Sequence, residues 1–352
     1  MSTGTRITFH QGQSDQGQAL ARVAVHVRRQ LAAIGPELLN SVERPLFTGI
    51  GASYAALAVP VQLLRSQGVV AQRVLADEIE AGTAGFDTDL LVGVSQSGRS
   101  SETIAAFEQA GAVRRLALLN VAPSPLGDLA EHTLDLGNEP DSYASTVGFT
   151  GTVVALELLA GAIAGRSAAA DPWHGIAEQV DAARTVAAGA VAGIRARAAR
   201  CTSADVVASG MSLASAEEGA LLLREVVRMP ASASSTRNYL HGEMESAGGT
   251  LHIVLGDGRE VELAHSLSRA GHQTLLVTGQ PVPSADSLAV VRLPETVPAA
   301  RVVLETVVLQ ELVSALSEER GVPIESFVFA NDDTKLGGVD PADFAIAAPT
   351  AA

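Results

Sequence analysis

The sequence predicts an α/β protein made of two tandem units, each a parallel sheet covered by helices. Three observations carry that prediction. Short apolar runs such as LLVGV (90–94) and LALLNV (116–121) end in Gly- or Ser-rich turns and alternate with amphipathic segments. That is the pattern of buried parallel strands joined by crossover helices. The same order of elements restarts roughly 150 residues further on, as a tandem duplication would require. Finally, 352 residues with 47% hydrophobic and 18% charged content suit a packed globular chain of about two domains. Aromatic residues make up only 3%, so Ala, Val, Leu and Ile must build the core.

Taken in order, Gly17 to Ile34 carries apolar residues at helical spacing. PLFTGIGAS (45–53) reads as strand then turn, and 54–68 as a helix ending at Gly68. A strand follows at 69–76, and DLLVGVSQSG (89–98) is again strand then turn. A helix over 100–112, strands at 115–123 and 133–137, and a long helix over 145–165 complete the first half. Ser167–Ala199 is Ala-rich and reads as a linker with a connecting helix. The second half repeats the alternation: strand and turn at 203–213, helix 214–228, strand and turn 249–258, helix 259–271, strands 272–279 and 288–294, and a long helix over 300–321. The expected division is therefore an N-terminal helix over 1–35, a first domain over 36–166, the linker over 167–199, a second domain over 200–321 and a tail over 322–352.

A net charge of −15 argues against non-specific binding to nucleic acid or anionic membranes. An anionic small molecule would need a local device, such as a helix N-terminus. Apolar runs are too short for membrane spans, which need about 20 residues. Cys201 is the single cysteine, which excludes an intrachain disulfide and a Cys-rich metal site. No metal constellation and no cofactor motif stands out. The N-terminus lacks a basic-then-apolar signal pattern, so a cytoplasmic location is the default expectation.

Two turns are candidates for chemistry. VSQSGRSSET (94–103) puts Ser95, Gln96, Ser97 and Ser100 after a buried strand and at a helix start. Unpaired N–H groups, hydroxyls and a small Gly98 would suit a tetrahedral anion. On spacing alone, Ser100 or Ser101 capping that helix explains the turn equally well. GIGASY (49–54) offers Ser53 in the matching place, or a tight strand-to-helix connection. Lys335 is the single lysine, set among arginines. An ammonium can shed its proton and attack or polarise a carbonyl, as a guanidinium cannot.

The segments GIGASY, SQSGRSSET and YASTVGFT (143–150), in this order, resemble the sugar isomerase (SIS) domain. From roughly Leu46 to Lys335 the chain is similar to the tandem-SIS isomerase portion of glucosamine-6-phosphate synthase. Amino-sugar-phosphate isomerases, deaminases and fructosamine-phosphate deglycases share that resemblance. It implies two three-layer αβα sandwiches with a mostly parallel, flavodoxin-like sheet. It implies that Ser95, Gln96, Ser97 and Ser100 hold a sugar's terminal anion, with Ser53 and Ser145 beside them. Arg99, where relatives have an acidic or small residue, would add charge there and suit a sulfonate as well as a phosphate.

The same resemblance places Glu225 as the general base of an aldose–ketose isomerisation. His241 would open the sugar ring, donated by the neighbouring subunit of a homodimer, and Lys335 would close a C-terminal tail over the substrate. Relatives carry a second lysine where this chain has Leu222, which favours a sugar without an amine. LGDGRE (255–260) replaces the serine turn in the second half, so one site per chain is expected. The expected function is an aldose–ketose isomerase acting on an anionic sugar through an enediol, with a deaminase or deglycase as the alternative and a non-catalytic sugar-phosphate sensor as the second. Amide transfer from glutamine is not expected of this chain alone.

Overall fold

A computed structural model describes residues 6–79, 83–167, 170–325, 327–329 and 331–338. The first lobe runs α1 (Phe9–Ile34), α2 (Pro36–Leu39), β1 (Pro45–Gly49), α3 (Ala52–Ala56), α4 (Ala58–Ser66), β2 (Gln72–Leu75), β3 (Leu90–Ser95), α5 (Ser101–Gln109), β4 (Arg114–Leu119), α6 (Pro125–Asp128), β5 (His132–Asp135) and α7 (Val147–Ile163). Helix α8 (Ile176–Ala198) leads to the second lobe: β6 (Ser203–Ala208), α9 (Leu213–Glu225), β7 (Ala231–Ser235), α10 (Thr236–Tyr239), β8 (Thr250–Leu255), α11 (Arg259–Arg269), β9 (Thr274–Thr278), β10 (Leu288–Arg292) and α12 (Pro298–Arg320). The far end of the expected tail, 339–352, lies outside the described residues.

Each lobe holds a five-stranded sheet, ordered β2-β1-β3-β4-β5 in the first and β7-β6-β8-β9-β10 in the second. Every pairing between these strands is parallel. Counted from its own first strand, each sheet reads 2-1-3-4-5, the flavodoxin-like order. The chain direction of assembly reverses between β1 and β3, and between β6 and β8. At such a switch point, beyond the carboxyl ends of the strands, open α/β sheets bind ligands.

Strands β1, β3 and β8 are buried at every position, so both faces of each sheet need helices. One apolar cluster contains Val92 of β3, Val153 of α7, Leu222 of α9, Val206 of β6 and Leu309 of α12. The helical layer between the sheets is therefore shared by the lobes. Smaller clusters close the outer faces, around Phe107 of α5 and around Leu263 of α11. Helix α7 is apolar nearly all round, and α12 is buried along most of its length, polar Glu305 and Gln310 included, because both lie in the shared layer.

Three elements differ from the sequence reading. Helix α1 starts at Phe9, well before Gly17, because Thr8 and Gln11 form a capping box. Its early polar residues are buried but bonded: Gln13 donates to Glu311, and Gln16 to Thr146 and Thr150. The helix expected over 54–68 divides into α3 and α4 at Leu57. Pro60 lies in the first turn of α4, where its missing N–H leaves no intrahelical bond unmade. Strand β7 (ASASS) has no β-branched or aromatic residue to announce it. Its full register with β6 holds it at the sheet edge.

Polar contacts lock the lobes beside the first switch point. Arg73 of β2 makes a two-pronged pair with Glu217 of α9, both bonds 2.7 Å, and its guanidinium lies 4.6 Å from the Tyr54 ring centre. Leu221, one turn further along α9, comes within 4.0 Å of where a β-carbon on Gly51 would sit. After α12 the chain returns to the first lobe. Glu325 accepts the Phe9 N–H at 2.7 Å, and the Phe327 ring packs 3.9 Å from that of Tyr143. Among the described residues no helix is long and apolar enough to cross a membrane.

Candidate active site

The serine turn leaves β3 at Ser95, which is buried, and enters α5 at Ser101. Gly98 sits at φ 64°, a left-handed conformation that glycine adopts without strain. Its N–H donates to Ser95 Oγ at 3.1 Å, and the Arg99 N–H donates to Ser97 Oγ at 3.3 Å. Gln96 anchors the turn through its carbonyl, which accepts from the N–H groups of Asn120 and Val121. Ser100 occupies the cap position of α5, yet its hydroxyl makes no capping bond. It faces Ser95 Oγ at 3.1 Å instead. Ser100 is therefore not spent as a cap, and among the described residues the N–H groups opening α5 have no side-chain acceptor.

Gly49 and Ser53 complete the switch point. A β-carbon on Gly49 would lie 3.1 Å from both Ser53 Cβ and the Val94 carbonyl, so Ser53 is packed against the end of β1. Ser145 is committed locally. Its hydroxyl donates to Asp141 at 2.7 Å and accepts from the Phe149 N–H at 2.8 Å. Asp141 also takes the N–H and hydroxyl of Thr146. This buried carboxylate caps α7, and burial raises its pKa against those hydrogen bonds.

Glu225 ends α9. Burial raises its carboxyl to about 7, and it has no hydrogen-bond partner among the described residues. Seven residues earlier on the same helix, Glu218 is 1% exposed, and its Oε2 has no partner. Burial first, then the nearby charges of Glu225 and Asp141, push the Glu218 carboxyl well above the usual carboxylate range. Charging a buried carboxyl that lacks a partner is costly, which favours its protonated form. The structure gives Glu217 to Arg73 and sends Glu218 inward.

Lys335 lies on the returning tail and pairs with Ser100 in an isolated antiparallel bridge. Its Nζ donates to Ser100 Oγ at 3.4 Å. Burial pulls this ammonium below its ordinary value, with Glu102 opposing and Arg99 assisting. Arg99 does not present its donors to the turn: Nε and Nη2 bond the carbonyls of Leu336 and Gly338. His241 is exposed on the turn after α10. The chain thus brings Lys335 against Ser100 on the turn that carries Ser95, Gln96 and Ser97, sets Ser53 beside Gly49 at the end of β1, docks α9 against the Gly51 turn, and leaves His241 at the surface.

The second lobe's switch point is closed by its own side chain. Glu260, in the first turn of α11, folds back over Gly256, where a β-carbon would come within 2.6 Å of its Cγ. It accepts from Ser209 at 2.7 Å and from Thr236 at 2.5 Å. Burial alone would raise this carboxyl, but those hydrogen bonds outweigh it and hold it below the usual range. A carboxylate therefore fills in the second lobe the place that is open in the first.

Residues 38–162, most of the first lobe, match the family model of the SIS domain. The chain is 30% identical over 232 residues to glutamine–fructose-6-phosphate aminotransferase [isomerizing] of Acidithiobacillus ferridurans, covering 62% of this chain and 38% of that protein. It spans well under half the length of the curated relatives it matches. Its fold is that of the C-terminal domain of glucosamine-fructose-6-phosphate aminotransferase from Francisella tularensis, with a TM-score of 0.76 at 20% identity over 92% of this chain and 99% of that one. It is also that of tagatose-6-phosphate ketose/aldose isomerase from Escherichia coli, with a TM-score of 0.74 at 17% identity over 98% and 97%.

Proposed function

We propose that this protein interconverts an aldose and a ketose bearing a terminal phosphate, by moving a proton between C1 and C2 through an enediol. The observation that carries the reading is Glu225. It is a partner-free carboxylate held at about 7, on a helix docked against the Gly51 turn of the other lobe. A group that must take a proton and give it back works best with an acidity constant near the working pH. The serine turn supplies the hydroxyls and helix N–H groups for the anion, and Lys335 adds positive charge. A sulfonate was attractive for the sake of a free Arg99. With Nε and Nη2 of Arg99 engaged by the tail, this reading favours phosphate.

His241 acts in ring opening from a second copy of the chain, which agrees with its exposure and makes the working unit a homodimer in the cytoplasm. The chemistry needs no cofactor. The two names among the relatives that end in an isomerisation step, from Acidithiobacillus ferridurans and Escherichia coli, support the same reading. A second reading, removal of an amine from a sugar-amine phosphate, is favoured by Glu218. That buried carboxyl without a partner would welcome a substrate cation.

A panel of hexose, pentose and amino-sugar phosphates incubated with the protein in D2O separates these readings. The isomerase reading predicts deuterium at C2 of an aldose phosphate without ammonia release. Ammonia release from an amino-sugar phosphate would favour the second reading. Tight binding of a sugar phosphate with no exchange and no product would point to a sensor.

A further inference from the structure

The tail does more than pass over the serine turn. Arg99 Nε and Nη2 donate to the Leu336 carbonyl at 3.0 and 2.8 Å, and Nη2 donates to the Gly338 carbonyl at 2.8 Å. The Leu336 N–H returns a bond to the Arg99 carbonyl at 2.8 Å. The Gly338 N–H closes a turn onto the Lys335 carbonyl at 2.8 Å. Gly337 and Gly338 lie at φ 81° and 76°, and a β-carbon on Gly337 would come 3.2 Å from Arg99 Nη2. The sequence KLGG thus wraps a guanidinium, using the two glycines to do it. A planar fork can serve two carbonyls at once, as a point-charge ammonium cannot.

We propose that Arg99 is a positioning residue for Lys335: it clips residues 335–338 onto the serine turn, so that anion cradle and ammonium close as one unit. The part assigned to Lys335 in the reaction rests on the function proposed above; the clip itself does not. Two positive groups, Arg99 and Lys335, then flank the same turn, with Glu102 as the neighbouring negative charge. An anion on the turn relieves their repulsion, so anion binding and the clip reinforce each other.

Because Lys335 is the single lysine, its reactivity in wild type and Arg99→Ala can be read without interference from other ε-amines, and in Arg99→Lys it is read on its own peptide, apart from that of residue 99. The experiment compares wild type, Arg99→Ala and Arg99→Lys, each with a melting temperature confirming the fold. Three quantities are measured: amide hydrogen exchange at Leu336 with and without inorganic phosphate, the pH midpoint for acylation of the Lys335 peptide, and kcat and KM for the sugar phosphate. In wild type, phosphate should slow exchange at Leu336. Arg99→Ala should speed that exchange, move the acylation midpoint up toward that of a solvated lysine, and lower kcat more than it raises KM. The kcat loss expected is about 10²-fold, the cost of misplacing a reacting group by about 1 Å. Arg99→Lys should recover only part of each effect.

An Arg99→Ala protein with unchanged Leu336 exchange and an unchanged acylation midpoint would overturn the clip. Unchanged kcat in Arg99→Ala, beside a large loss in Lys335→Ala, would overturn the positioning role. If wild type turned over no sugar phosphate, the proposed function would fail, while exchange and acylation would still decide the clip.

Discussion

Glu225→Gln is expected to abolish C1–C2 proton exchange while leaving sugar-phosphate binding intact. The amide keeps the shape of the carboxyl at the end of α9 but can no longer accept and return a proton. Loss of a general base typically costs about 10²–10⁴-fold in rate. The pH profile supplies an independent check. Burial raises Glu225 to about 7, and the base acts only when ionised. Below that value the ionised fraction falls about tenfold per unit, so kcat/KM should rise with pH and level off above about 7. A profile breaking near an ordinary carboxylate value would mean that another group moves the proton. Isotope exchange by NMR in D2O, together with calorimetric binding, measures both halves of the prediction.

Gly98→Ala is expected to destroy the anion cradle. Two effects combine. At φ 64° a β-carbon is strained by about 1–2 kcal/mol. It would also overlap Ser124 Oγ and Cβ, and Ser124 caps α6 by accepting the Gly127 N–H. The turn must shift away, carrying Ser97 and Ser100 with it. Loss of two charge-assisted hydrogen bonds at roughly 1.5 kcal/mol each corresponds to about 10²-fold in phosphate affinity. The paired variant Gly98→Ala with Ser124→Gly removes the overlap but not the backbone strain, and should recover part of the affinity. A fully active Gly98→Ala protein would show that the anion does not depend on this turn.

The alternation of strands and helices was readable because each buried strand is a short apolar run closed by a turn. The serine turn was readable as a candidate because hydroxyls and glycine cluster between a buried strand and a helix. Its decision required coordinates: whether Ser100 caps α5 or faces Ser95 depends on a rotamer. Residues whose roles come from distant partners left no local mark. Arg99 meets Leu336 across 237 positions, and nothing in RSSET announces it. Glu217 and Glu218 are neighbours in sequence, but successive helical positions differ by about 100°, so one meets Arg73 and the other the interior. Asp141 lies five positions before Thr146, the N-cap of α7, outside the usual capping pattern, so its role left no local mark either. Strand β7 had none, since ASASS packs by register alone.

The two lobes share a fold but not a site, and the reason is visible in single side chains. Ser97 and Ser100 line an open turn in the first lobe, whereas Glu260 occupies the matching turn of the second. A carboxylate already sits where an anion would bind, and like charges exclude each other. On the proposed function, one anion per chain is expected, with the second lobe contributing the base.

The most direct measurement is a crystal structure of the Glu225→Gln protein with a bound sugar phosphate. The account predicts phosphate oxygens within about 3 Å of the Ser97 and Ser100 hydroxyls, and C1 or C2 within about 3.5 Å of the residue 225 side chain. Phosphate seated elsewhere, or the first two carbons turned away from residue 225 toward solvent, would contradict it.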